Sequence, residues 1–181
     1  MLQTKKPLYK AIVVFNLLCI VFCLVAAALS MFVENPGKAF TLDAVFIILA
    51  MLAAAYYMLG GYSKNAAKYY KVFAAFAALS GLVTLLTTCL NGNGALFVIC
   101  DAIVFAIILY MTFSINQGKK RSLSFCGIAV VLRVVGLIAF LVVGNVSGVV
   151  VMRYVSYIIL TCLLGIMTFA KYVDKDARGT I

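Results

Sequence analysis

The chain contains no histidine and no tryptophan, and only two prolines and five acidic residues among 181. Without histidine, the side chain that most often serves as general base and metal ligand is missing. Asp174 and Asp176 lie near the C-terminus, and Glu34 lies between two apolar runs. Few acidic residues therefore fall within the apolar runs. We therefore predict that the protein is not an enzyme and has no catalytic residue, no metal and no cofactor.

Cysteine is present but without the spacing or the neighbours that chemistry requires. All six cysteines fall within apolar sequence, where cysteine behaves as a small hydrophobic residue. No CxxC pair occurs, and no histidine could complete a zinc site. We predict neither a disulfide framework nor a metal centre from these residues, which are Cys19, Cys23, Cys89, Cys100, Cys126 and Cys162.

Long apolar runs make up most of the chain, which is 66% hydrophobic with a mean hydropathy of +1.18. A run of about 20 apolar residues spans the hydrocarbon core as a helix. Pro7 and Pro36 lie outside every run, so each helix can keep the internal hydrogen bonds that lipid demands. The sequence predicts an all-α fold, a single transmembrane domain over residues 1–181 with no soluble domain. Its six helices are predicted at residues 11–33, 42–61, 72–90, 95–115, 123–143 and 149–170.

The basic residues predict the orientation of this six-helix bundle. Twelve of them fall on one side of the predicted membrane, against Lys38 alone on the other, and basic loops remain cytoplasmic. We expect a multi-pass protein of the cell (inner) membrane, in a prokaryotic plasma membrane, with both termini cytoplasmic. The net charge of +10 then serves orientation and contact with anionic lipid, and we predict no nucleic-acid partner. The twelve are Lys5, Lys6, Lys10, Lys64, Lys68, Lys71, Lys119, Lys120, Arg121, Lys171, Lys175 and Arg178.

Ionisable residues inside the predicted membrane are the first functional candidates, because each costs about 2.5–3.5 kcal/mol at a helix centre. From the rise per residue, Asp101 lies roughly 9 Å below the outer end of its helix, and Arg153 roughly 6 Å below its own. Arg133 lies roughly 15 Å deep, near the midplane. Asp43 is placed at the outer rim of the second helix.

These charges have two interpretations. Asp101 can pair with Arg153 or with Arg133 and hold the bundle in register. One acid nevertheless leaves one arginine without a partner unless Asp43 reaches inward. Arg133 is the strongest functional candidate, because its helix face is mostly small around the charge and suits the wall of a cavity, with Cys126, Ala129, Gly136 and Phe140.

The third helix carries a polar stripe, because five polar residues recur at the spacing of one helix face. Such a stripe can line a cavity, or it can be ordinary packing in which hydroxyls bond back to the backbone. The stripe consists of Ser80, Thr84, Thr87, Thr88 and Asn91. We predict a solute-binding set formed by Arg133, Arg153, Asp101, Thr84, Thr87, Thr88 and Asn91.

Two functions from different classes are consistent with these features. The first is binding or transport of a small anionic or zwitterionic solute through an outward-facing cavity, since arginine suits carboxylate and phosphate. The second is a non-transport assembly, regulatory or sensor subunit that acts through helix–helix contacts at small-residue faces, at positions 19–30 or 74–81. The expected partners are the lipid bilayer, a small-molecule solute, and a membrane partner subunit or a homo-oligomer.

Overall fold

In the computed structural model the described residues form six α-helices. The structure describes residues 6–33, 38–59, 67–90, 95–113, 120–143 and 148–177, and the side chains of 14–29, 42–57, 69–90, 95–113, 124–142, 148 and 151–169. The all-α prediction is confirmed over this part of the chain. In chain order the helices are α1 (Lys6–Val33), α2 (Lys38–Leu59), α3 (Ala67–Leu90), α4 (Ala95–Phe113), α5 (Lys120–Val143) and α6 (Gly148–Ala177).

Several helices continue past the predicted apolar runs. The extension is clearest beside basic residues, since α1 begins at Lys6, α5 begins at Lys120 and α6 continues to Ala177. Lysine has a good helix propensity, so a helix need not end where its apolar sequence ends. Positions 60, 61, 114 and 115, at the predicted ends of the second and fourth runs, lie outside the described residues.

The length and composition of the helices suit a membrane. Four segments are long and apolar enough to cross one: Tyr69–Leu90, Ala95–Phe113, Ser124–Val142 and Val151–Phe169. The apolar segments described in α1 and α2, Val14–Leu29 and Leu42–Tyr57, are shorter. The bundle is thus compatible with an integral membrane protein, whereas six crossings and the side of each terminus remain predictions from the sequence.

Helices that follow each other in the chain pack side by side, and α6 closes the bundle by packing on α1. The contact between α2 and α3 is the most extensive. Both helices bury alanines completely, Ala50 and Ala54 in α2 and Ala74 and Ala77 in α3. Small residues let helix backbones approach closely, which is how membrane helices gain contact without a hydrophobic driving force.

Burial is uneven among the helices. About half of the apolar window of α6 is buried (50%) and nearly as much of α3 (44%), but only 22% of α4 and 17% of α5. Among the described side chains of α5, only Cys126, Ala129 and Arg133 are buried. The core of the bundle is formed largely by α2, α3 and α6, and α4 and α5 stand at its periphery.

The small-residue faces pack inside the chain. Ala74, Ala77 and Gly81 are buried, and a Cβ added to Gly81 would lie 3.3 Å from a ring carbon of Phe105 in α4. On α1, Cys23 is likewise buried. The described residues of these faces are thus largely buried within the chain.

Candidate functional site

A cluster of eight buried polar residues spans five of the six helices. We call it the polar cluster. Its members are between 1% and 8% exposed, although two acids and two arginines are among them. It consists of Asp43 of α2, Ser80, Thr84 and Thr88 of α3, Asp101 of α4, Arg133 of α5, and Arg153 and Tyr157 of α6.

One half of the polar cluster is an ion pair between α4 and α5. Arg133 Nη1 donates to Asp101 Oδ1 at 2.8 Å, and both side chains are buried. Thr88 Oγ1 donates to the other carboxylate oxygen, Asp101 Oδ2, at 2.7 Å. Hydrogen bonds between charged groups are short and strong, so this contact fixes three helices relative to one another.

The other half is organised by a second carboxylate. Ser80 Oγ donates to Asp43 Oδ1 at 2.7 Å, and the Tyr157 hydroxyl donates to Asp43 Oδ2. Thr84 lies within hydrogen-bonding range of the same tyrosine. Asp43 thereby connects α2 to α3 and to α6.

Tyr157 joins the two halves. Its ring lies under the guanidinium of Arg133, with 5.0 Å between the guanidinium carbon and the ring centroid. Such a cation–π contact strengthens as water is excluded. Tyr157 therefore binds Asp43 through its hydroxyl and Arg133 through its ring face.

The polar cluster contains equal numbers of acidic and basic side chains. Asp43 lies in the electrostatic field of both Arg153 and Arg133, and Asp101 pairs with Arg133. Two carboxylates thus accompany two guanidiniums in one buried region. Nε of Arg133 is buried and makes no hydrogen bond within the part of the chain that the structure describes. The polar cluster thus contains a buried hydrogen-bond donor, Nε of Arg133, that has no partner among the described residues.

Most of the predicted site residues lie together in the polar cluster. Asp101, Arg133, Arg153, Thr84 and Thr88 all belong to the polar cluster. Of the two arginines considered as partners of Asp101, Arg133 forms an ion pair with it. Thr87 instead donates to the backbone oxygen of Thr84 in its own helix, 2.8 Å away. Asn91 lies outside the described residues.

Sequence reasoning missed Tyr157 and did not assign Asp43 to the site. Asp43 lies five residues after the start of α2 at Lys38, is only 2% exposed, and reaches inward to Ser80. Tyr157 follows Arg153 by four residues, which places both on one face of α6. That spacing from a membrane-embedded arginine was the signal that could have found it.

Among the described residues, no group of three or more Cys, Asp or Glu side chains is arranged to hold a metal ion, and the described cysteines are free thiols. Comparison of the chain with protein-family models, with curated proteins and with solved structures found no match. The polar cluster is therefore the feature of the molecule that bears on its function.

Proposed function

We propose that the polar cluster binds a small zwitterionic solute, and that the protein is a non-enzymatic solute-binding or transport protein of a prokaryotic plasma membrane. The observation that supports this is the charge balance: Asp43 and Asp101 lie in one buried region with Arg133 and Arg153. A zwitterion presents one charge to each kind of partner and leaves the balance intact. An anion would add a charge that the region does not compensate.

Each end of such a solute has a chemically suitable partner. A guanidinium presents a planar fork of donors that matches a carboxylate, and Arg133 has its Nε donor unused among the described residues. An ammonium group suits the carboxylates of Asp43 and Asp101. The hydroxyls of Thr84 and Thr88 supply further donors and acceptors between the charges. Of the two solute classes predicted from the sequence, anionic and zwitterionic, these partners favour the zwitterionic one.

Entry of a solute requires movement of helices, because every member of the polar cluster is at most 8% exposed. The ion pair lies between α4 and α5, the two least buried of the membrane-length segments. Displacement of α4 and α5 from α3 and α6 would expose both arginines. The predicted orientation places this opening on the outer side of the membrane.

The test is a binding screen on the purified protein in detergent. Amino acids and betaines represent zwitterions, dicarboxylates and inorganic phosphate represent anions, and polyamines represent cations. We expect a zwitterion to raise the thermal midpoint of unfolding in a concentration-dependent way. Arg133→Lys keeps the charge but loses the fork, so affinity should fall at least about tenfold. Calorimetric titration gives the affinities.

Lys71→Gln provides the matched control, because Lys71 is exposed on α3 and lies outside the polar cluster. Its affinity for the solute should equal that of the wild type. Stabilisation by anions alone would contradict the choice of a zwitterion. Absence of any shift with all three classes would overturn the proposal.

The second candidate is a subunit that acts through helix–helix contacts and binds no solute. It is favoured by the Asp101–Arg133 contact, which already satisfies both charges within the chain. A polar cluster with this role would serve only to set the register of the helices. A negative binding screen, together with a stable protein after both charges are removed, would support this candidate.

A further inference from the structure

A groove lies on the surface of the bundle between α4 and α5, away from the polar cluster. Its volume is about 490 Å³, and it is lined by Ile103, Ala106, Ile107, Tyr110 and Phe125. Its walls are almost entirely apolar, and Ile103, Tyr110 and Phe125 are each about 40% exposed. Against lipid, such a groove accepts an apolar chain.

Basic residues begin α5 at one end of this groove. Lys120 and Arg121 are the first two residues of α5, five and four residues before Phe125, and Lys119 precedes them in the sequence. At the rise of a helix, this is roughly 6–8 Å along the axis. The groove therefore lies within about two helical turns of the basic sequence at the start of α5.

Two aromatic rings lie at the same end. Tyr110 and Phe125 meet edge to face, with 5.5 Å between ring centroids and 71° between planes. Tyr110 lies near the end of α4 and Phe125 near the start of α5, where aromatic residues gather at a membrane interface. An aromatic pair of this kind suits headgroup level, with the rest of the groove along the acyl region.

We infer that the α4–α5 groove is a binding site for one anionic phospholipid, with an acyl chain along the groove and the phosphate at Lys120 and Arg121. Charge complementarity selects this occupant, because basic pockets between membrane helices bind anionic headgroups. An apolar helix of a partner would gain nothing from the basic end. The inference is independent of solute binding and of which side of the membrane the α4–α5 connection faces.

The experiment is native mass spectrometry of the purified full chain, titrated with dioleoylphosphatidylglycerol or dioleoylphosphatidylcholine. We expect one phosphatidylglycerol to bind more tightly than phosphatidylcholine. Lys120→Gln with Arg121→Gln should lower the affinity for phosphatidylglycerol about fivefold for each charge removed and leave phosphatidylcholine unchanged. Ala106→Phe fills the groove and should weaken both lipids, on the order of tenfold.

Two control variants separate the site from the general lipid surface. Lys71→Gln removes a basic charge from the first half of α3, and Ala75→Phe enlarges an exposed alanine on the same helix. Both should bind phosphatidylglycerol as the wild type does. Equal affinity of the wild type for the two lipids would overturn the inference. Unchanged lipid affinity in Ala106→Phe would also overturn it. The same holds if Ala106→Phe changes the oligomeric mass of the protein but not its affinity for lipid.

Discussion

A guanidinium buried in a helix bundle must be solvated by protein, and Arg133 shows how this chain does it. Its Nη1 donates to Asp101, and its planar face lies on the ring of Tyr157. Asp101 is in turn held by Thr88. Removing one member of such a pair leaves the other charge buried, which costs more than removing both.

The first prediction follows from that asymmetry. Asp101→Asn should lower the free energy of unfolding by about 3 kcal/mol or more, because Arg133 loses its carboxylate in a dry region. Asp101→Asn with Arg133→Gln should recover much of the loss. Thermal unfolding in detergent, followed by circular dichroism, measures the difference between the single and double variants.

Arg153 provides the comparison that makes this test specific. Asp101→Asn with Arg153→Gln should recover less stability than Asp101→Asn with Arg133→Gln, because Arg133 Nη1 is bonded directly to Asp101. Equal recovery in both double variants would show that the cluster responds only to its net charge. Additive losses at Asp101 and Arg133 would contradict the ion pair.

Depth along a helix predicted the candidates but not the pairing. The depths of Asp101 and Arg153 agree more closely than those of Asp101 and Arg133. In the structure Asp101 nevertheless pairs with Arg133, and α4 packs against α5 as well as α3. The long arginine side chain then covers the difference in depth. Which helices pack together is a property of the tertiary structure, so the sequence alone left both pairings of Asp101 open.

At the scale of the helices, α5 and α6 approach closely at one point. Cys126 of α5 donates from its thiol to the backbone oxygen of Thr161 in α6 at 3.2 Å. A Cβ added to Gly165 would lie 2.7 Å from Sγ of Cys126. Glycine at position 165 is required by this contact.

The second prediction tests the close approach. Gly165→Ala should destabilise the protein by about 1–3 kcal/mol, because the buried thiol cannot move without losing its packing and its hydrogen bond. Cys126→Ala in the same chain removes the clashing sulfur and should restore most of the stability. The measurement is again thermal unfolding in detergent.

Gly127 is the matched control on the facing helix. Apart from its own stretch of helix, no atom of the described residues lies within 4 Å of a Cβ added there. Gly127→Ala should therefore be neutral or stabilise the protein by up to about 1 kcal/mol, since glycine is unfavourable within a helix. Equal destabilisation at positions 127 and 165 would contradict the assigned packing.

The existence of the helices was predictable, and their ends were less so. Lipid leaves the backbone few alternatives to a helix, so apolar runs without proline suffice. The start of α2 at Lys38 was not visible, because Lys38 and the residues after it lie outside the apolar run. That difference of about one turn places Asp43 inside α2 and not at its first turn.

For the whole molecule, the third prediction concerns orientation. The distribution of twelve basic residues against Lys38 predicts that position 119 faces the cytoplasm and position 38 faces outward. A single cysteine at each position, in a chain with the native cysteines replaced, can be labelled in intact cells with an impermeant reagent. We expect labelling at position 38 and not at 119.

Lysed cells provide the control for that experiment, because both positions should then react. Labelling of intact cells at position 119 but not at 38 would reverse the topology. It would also move the proposed solute entrance to the cytoplasmic side, while leaving the contacts of the polar cluster unchanged.

The sequence separation within the polar cluster has a consequence for biosynthesis. Asp101 and Arg133 are 32 residues apart on successive helices, so a nascent α4–α5 hairpin already contains both charges of its ion pair. Asp43 and Tyr157 are 114 residues apart. While the ribosome is still making α6, Asp43 has only Ser80 among its described hydrogen-bond partners. The helices made before α6 therefore carry an incompletely solvated acid until α6 is in place, and a chain truncated before α6 would leave Asp43 without the Tyr157 hydroxyl.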